Sequence, residues 1–141
     1  MKKTCLYTLL LLTSLLGCKA QKTEVRELSG FDKIKISGSF NVLYTSSDTT
    51  LVKVRAKESD FNNLKSYVEN STLVLSSKGD LNGPVTVYVK NNKLVGVESN
   101  GAADFKTLSV VKTDSINLNA SGATSLRLTI EANTINCFEV G

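Results

Sequence analysis

From Phe31 onward, apolar and polar side chains largely alternate. Phe31, Ile34 and Ile36 are followed, past Ser37-Gly38, by Phe40, Val42 and Tyr44. A period of two sends successive side chains to opposite faces and predicts strands with one face in a core and the other in water. Residues 46–50 read as a turn and residues 51–57 as the next strand. Ser59 and Asp60 open a single helical turn reaching Leu64, with Ser59 as its cap. Residues 67–69 and 72–76 flank Asn70-Ser71 as a hairpin, and residues 78–82 form a loop. Pro84 starts a strand carrying Val85, Val87 and Val89, ended by Asn91-Asn92.

Past this point the chain repeats itself. Residues 95–105 (VGVESNGAADF) are echoed by residues 116–126 (INLNASGATSL), and a third copy starts at Ile135 and breaks off at Gly141. Gly101, Gly122 and Gly141 stand 21 and then 19 residues apart. A corner of small residues surrounds the first two, and Gly38 marks a similar corner earlier. Such a repeat predicts coils of about 20 residues, each unable to bury its apolar row alone and therefore stacked on the next, about 4.8 Å away. Glycine at these corners allows a tight bend or a φ above zero at each rung. The expected fold is all-β, a single-stranded β-helix (solenoid) of short strands. An antiparallel β-sandwich with regularly spaced turns is the alternative. Because the third copy is incomplete, the last coil is expected to be open: either the chain is a truncated product, or another copy or a partner covers that end.

The N-terminus follows a different pattern. Lys2 and Lys3 precede a nearly unbroken apolar run from Leu6 to Leu16, interrupted only by Tyr7, Thr8, Thr13 and Ser14. A positive start, a short apolar core and a small residue at the break describe an export signal, since a membrane span needs roughly 20 apolar residues. The break, Leu15-Leu16-Gly17-Cys18, resembles the lipobox of bacterial lipoproteins, although Leu16 stands where a smaller residue is usual. The resemblance implies cleavage between Gly17 and Cys18 and acylation of the Cys18 thiol. At roughly 0.8 kcal/mol per buried methylene, two or three such chains hold a protein to a membrane. Residues 1–17 are thus expected to be a signal peptide and residues 18–27 a lipidated polar tether. Residues 28–141 would be the folded domain. Lys19 stands where an aspartate would retain a lipoprotein in the inner membrane, so the outer membrane is the expected destination, on either face.

Composition narrows the chemistry. Without its first 17 residues the chain of 141 keeps 124, enough for one domain with its own core. Loss of Lys2 and Lys3 leaves 15 basic against 13 acidic side chains, spread along strands, so no nucleic-acid surface is expected. With Cys5 removed and Cys18 acylated, Cys137 alone remains and has no disulfide partner; it reads as a small buried hydrophobe. The sequence has no histidine and no tryptophan. That excludes Ser-His-Asp and Cys-His catalysis and removes the commonest metal ligand. Carboxylate chemistry would need converging acids. Glu98 aligns with Asn119 across the repeat, however, and Asp104 with Thr124-Ser125, so no acidic pair is expected. No cofactor or metal is expected either. Thr49 and Ser115, each after an aspartate, resemble bacterial O-glycosylation acceptors and fall in expected turns, although Asp-Thr and Asp-Ser are also ordinary turn formers.

The run 31–42 (FDKIKISGSFNV) resembles the opening motif of the auto-transporter adhesin head family, the GIN domain. Residues 52–56 (VKVRA), 73–75 (LVL) and the corner 121–123 (SGA) are similar to that family in kind and order. The resemblance spans about residues 28–141. It implies a stacked β-helical fold in envelope proteins of Gram-negative bacteria, often lipoproteins, and it brings no catalytic residues. The function expected is a non-enzymatic cell-envelope lipoprotein serving adhesion or interaction. It would be held to the membrane by its lipid and would meet a glycan or protein surface, with self-association through the open C-terminal coil. A periplasmic ligand- or lipid-binding lipoprotein is the alternative, and it requires an apolar cavity.

Overall fold

In the computed structural model, which describes residues 21–140, the alternating segments become fourteen strands. The expected signal peptide, with Gly17, and Cys18 and Gly141 lie outside the described residues. The strands are β1 (Gln21–Arg26), β2 (Lys33–Ser37), β3 (Asn41–Ser46), β4 (Leu51–Lys57), β5 (Leu64–Glu69), β6 (Thr72–Ser77) and β7 (Thr86–Asn91). They continue as β8 (Gly96–Gly101), β9 (Asp104–Thr107), β10 (Val111–Lys112), β11 (Ser115–Gly122), β12 (Ser125–Arg127), β13 (Ile130–Glu131) and β14 (Thr134–Val140). One six-stranded sheet has the order β1-β4-β7-β3-β9-β12, and the other β14-β11-β8-β2-β6-β5; β10 and β13 form a ribbon. The fold is all-β, and neither sheet closes into a barrel. The sheets are mixed. The pairs β1–β4, β4–β7 and β5–β6 are antiparallel, and the remaining pairs are parallel.

Apolar rows running across the strands build the core. In the first sheet, Val54, Val87, Val42 and Phe105 are cross-strand neighbours, all at most 3% exposed. In the second, Leu73, Ile34, Val97 and Leu118 line up in the same way, and both rows belong to one buried cluster. Each fully buried Val, Leu, Ile or Phe contributes about 1.5–3 kcal/mol relative to an exposed one, so these rows dominate stability. The buried Tyr44 ring stacks on Phe105 with centroids 6.4 Å apart. Its hydroxyl donates to the Asn91 carbonyl at 3.0 Å.

The copies of the repeat lie side by side. Residues of β8 meet residues of β11 21 positions later, from Gly96–Asn117 to Gly101–Gly122, and Asp104 of β9 meets Ser125 of β12. From Val111–Ile130 on, through the pairing of β11 with β14, the offset is 19. The two residues are removed from one connection: four residues, Thr107 to Val110, separate Lys106 from Val111, whereas Leu128 and Thr129 alone separate their partners Arg127 and Ile130. Gly38, Gly101 and Gly122 have φ of +129°, +120° and +80° and form a column. A Cβ on Gly101 would lie 3.0 Å from the Gly38 carbonyl oxygen, and one on Gly122 2.8 Å from that of Gly101. Only glycine fits such backbone-to-backbone contact.

Three local expectations change. The helical turn is a 3-10 turn, Glu58–Asn63, whose N-cap is Lys57; Ser59 lies inside the turn and does not cap it. Buried Asp60 holds the turn instead, its Oδ1 accepting from the backbone N–H and the side-chain amide of Asn82 at 2.8 and 3.0 Å. Residues 21–26, expected in a tether, pair along their whole length with β4. Cys137, expected to be buried, is exposed. It stands in the Leu118 row, but β14 is the sheet's last described strand, so no described strand covers its inward side. At the β5–β6 hairpin the sequence reading holds: Asn70 and Ser71 both take positive φ, 50° and 59°, as a two-residue turn of this twist requires.

Candidate functional site

Alternation leaves the outward positions of the second sheet free of core duty. One outward row crosses all six of its strands: Tyr67 pairs with Val74, Val74 with Lys35, Lys35 with Glu98, Glu98 with Asn119, and Asn119 with Phe138. At about 4.8 Å per strand the row is about 24 Å long. An exposed aromatic ring stands at each end, Tyr67 at 44% and Phe138 at 62% exposure. At the centre, the Lys35 ammonium is 3.8 Å from Glu98 Oε1. Neighbouring amides and hydroxyls hold one another: Ser121 Oγ donates to Asn100 Oδ1 at 2.5 Å, and Asn136 Nδ2 to Asn117 Oδ1 at 2.9 Å.

Two depressions flank the Lys35–Glu98 pair. One, about 280 Å³, runs over Gly96 between Lys33 and Asn117 towards Phe138. The other, about 450 Å³, runs past Val74 and Ser76 towards Tyr67. Gly96 begins β8 without a positive φ, so the backbone does not demand glycine there. A Cβ would meet the flexible Lys33 stem at 3.3 Å and Asn117 O at 3.6 Å. Its effect is to keep the floor of the first depression low, and a glycine inside a strand often marks close approach of another molecule.

A second surface is apolar. Leu118, Leu126, Leu128, Ile130, Ile135 and Cys137 line an open groove of about 470 Å³ beside β14. It is the inward side of the last strand pair.

Of the residues singled out in the sequence, Gly38, Gly101 and Gly122 come together in the column. Thr49 and Ser115 do not come together. Thr49 is exposed beside the Ser47 hydroxyl, 3.0 Å away, whereas Ser115 opens β11 rather than lying in a turn. Glu98 and Asp104 face Asn119 and Ser125 across the strands, as the repeat alignment has them. The row from Tyr67 to Phe138 was not anticipated. Its signal was present in the outward alternates of β5 and β14, but the cross-strand order that joins them is tertiary. Burial pushes the Tyr44 phenol up to about 12, with the Ser46 hydroxyl acting weakly the other way, which fits a structural hydroxyl better than a reactive one.

The family model of the putative auto-transporter adhesin, head GIN domain, matches residues 30–140. No curated protein matches the chain. Among solved structures, a putative adhesin from Bacteroides fragilis superposes with a TM-score of 0.80 at 19% identity, covering 88% of this chain and 60% of that one. A putative adhesin from Parabacteroides distasonis gives 0.78 at 18% identity, covering 86% and 54%. A protein of the same organism described as a putative lipid binding protein gives 0.69 at 21%, covering 79% and 51%. The chain therefore spans between about half and three-fifths of the length of these relatives, which share its fold. With the model matching nearly all the described strands, this chain belongs to the auto-transporter adhesin head (GIN) domain family.

Proposed function

We propose that the chain is a non-enzymatic adhesion or interaction module of the bacterial cell envelope, anchored by lipid at Cys18, with its strands wound as stacked coils of a β-helix. The observation that carries the reading is the broad outward face of the second sheet, six strands wide. The parallel registers and the glycine column support the winding, and family membership supports the adhesive role and the envelope location. Lys19 after Cys18 supports the outer membrane. Only Lys19 and Ala20 separate Cys18 from β1, so an anchor there would hold the domain close to the bilayer. Gene deletion should reduce attachment or co-aggregation, and metabolic labelling with palmitate should mark the wild type but not Cys18→Ser. Normal attachment by the deletion strain would refute the role; label retained by Cys18→Ser would refute the anchor.

The apolar groove beside β14 favours a second reading, a periplasmic lipid carrier. Native mass spectrometry would then find a non-covalent lipid on purified protein, lost when Leu126 and Ile130 are changed to lysine.

A further inference from the structure

We infer that the outward face of the β14-β11-β8-β2-β6-β5 sheet is a binding site for a neutral glycan, lying across the strands from Tyr67 to Phe138. The inference rests on the interaction reading above and names its partner.

Three features of the face select this ligand. First, the face carries little net charge, Lys33, Lys35 and Lys65 standing against Glu98 and Glu69. Lys35 is held by Glu98 at 3.8 Å, and Lys65 shares β5 with Glu69. A polyanion such as nucleic acid gains affinity by meeting unpaired cations, and this arrangement offers little of that. Second, the apolar groups are distributed in reverse of a protein interface. A protein partner needs an apolar centre depleted of charge, with a polar rim. Here the centre of the row is the Lys35–Glu98 pair, flanked by Val74 on one side and Asn119 on the other, and the aromatic rings stand at the two ends. Third, the amides and hydroxyls around that centre are held in place by one another, as in the Ser121–Asn100 and Asn136–Asn117 pairs. Groups fixed beforehand lose little entropy on meeting a ligand's hydroxyls.

Sugar rings combine an apolar face with a rim of hydroxyls, so an aromatic ring can cover the first while amides satisfy the second. The row of about 24 Å suits roughly five pyranose units, each advancing by about one strand spacing. The depressions on either side of Lys35–Glu98 are then the two halves of one track, and Gly96 keeps the first half open.

The test uses the full chain, purified in mild detergent, on a printed array of neutral and anionic glycans. Neutral glycans are expected to bind, with little change on adding salt. Tyr67→Ala and Phe138→Ala should each weaken binding about tenfold, a loss of about 1.4 kcal/mol. Gly96→Thr should weaken it similarly while leaving Tm unchanged, because only the mobile Lys33 stem must shift. Should Gly96→Thr fail to fold, the two exposed aromatic positions decide. The inference is overturned if no neutral glycan binds, if binding is confined to anionic glycans and is lost in salt, or if the aromatic variants bind like wild type. Cells expressing the Tyr67→Ala/Phe138→Ala double variant separate this inference from the broader reading. Normal attachment by them, where the deletion strain fails, overturns the glycan face and leaves adhesion standing. Array binding sensitive to the aromatic variants, with normal attachment by the deletion strain, keeps the face and removes the adhesive role.

Discussion

Gly101→Ala probes the column of glycines at its middle rung. At φ +120° an L side chain occupies a region open essentially to glycine alone, at a cost of about 1–3 kcal/mol. The added methyl would also lie 3.0 Å from O, 3.1 Å from N and 3.3 Å from Cα of Gly38. These are backbone atoms of the adjoining corner and cannot rotate aside. Forcing them apart adds a further 1–3 kcal/mol, typical of overpacking. Alanine stiffens the unfolded chain and returns about 0.4–1 kcal/mol. The net expectation is a loss of about 1–5 kcal/mol. For a domain of this length, at about 4 °C per kcal/mol, Tm should fall by about 4–20 °C. Gly79→Ala is the control. Its φ is +75°, but nothing lies within 4 Å of the added methyl, so the strain of about 1–2 kcal/mol, partly offset through the unfolded state, is all that remains. Urea denaturation of both variants measures the difference. A Gly101→Ala protein no less stable than Gly79→Ala would refute the argument from contact between corners.

Phe105→Ala, which removes a fully buried ring stacked on Tyr44, should cost about 3–5 kcal/mol by chemical denaturation. Tyr44→Phe should cost only about 0.5–1.5 kcal/mol, because the Asn91 carbonyl keeps its bond from the Ser47 N–H at 2.9 Å. The folded phenol titrates near 12 and the unfolded one near 10, so its contribution is complete below pH 10 and is lost as the pH rises towards 12. The loss reaches about 1.4 kcal/mol by pH 11 and more than about 2 kcal/mol by pH 12. Wild type and Tyr44→Phe should therefore become equally stable near pH 11, and the order should then invert; a constant difference between pH 9 and 12 would contradict the burial argument. Exposed Cys137 should react with a thiol reagent in the native protein as fast as in urea, and marked protection would mean that β14 is covered.

Much of this was legible in the chain because exposure to water is local information. Val85, Val87 and Val89 alternate with polar residues and lie in and beside β7 with their side chains buried. The glycines spaced by 21 mark equivalent corners, because a corner that stacks on itself must be built the same way each time. β1 escaped notice: its sequence, QKTEVR, has one aliphatic residue, and Val25 is itself 54% exposed. Its order comes from backbone pairing with β4 and from Lys22, which reaches Glu58 at 3.7 Å, neither of which leaves an apolar alternation. Cys137 misled for the opposite reason. Its row is apolar, but burial depends on what lies above the row, which residue spacing does not encode. The candidate face was hidden because β5, β6, β2, β8, β11 and β14 are neighbours in an order unlike that of the sequence.

The uneven spacing of the copies has a consequence for how such chains can diverge. All the slack between an offset of 21 and one of 19 is absorbed where the four residues Thr107 to Val110 face Leu128 and Thr129, and none at the glycines. One side of the molecule thus behaves as an expansion joint and the other as a ruler. Insertions and deletions should accumulate in homologues at the first and be purged at the second, so grafted peptides belong between Leu128 and Thr129 and never beside Gly122.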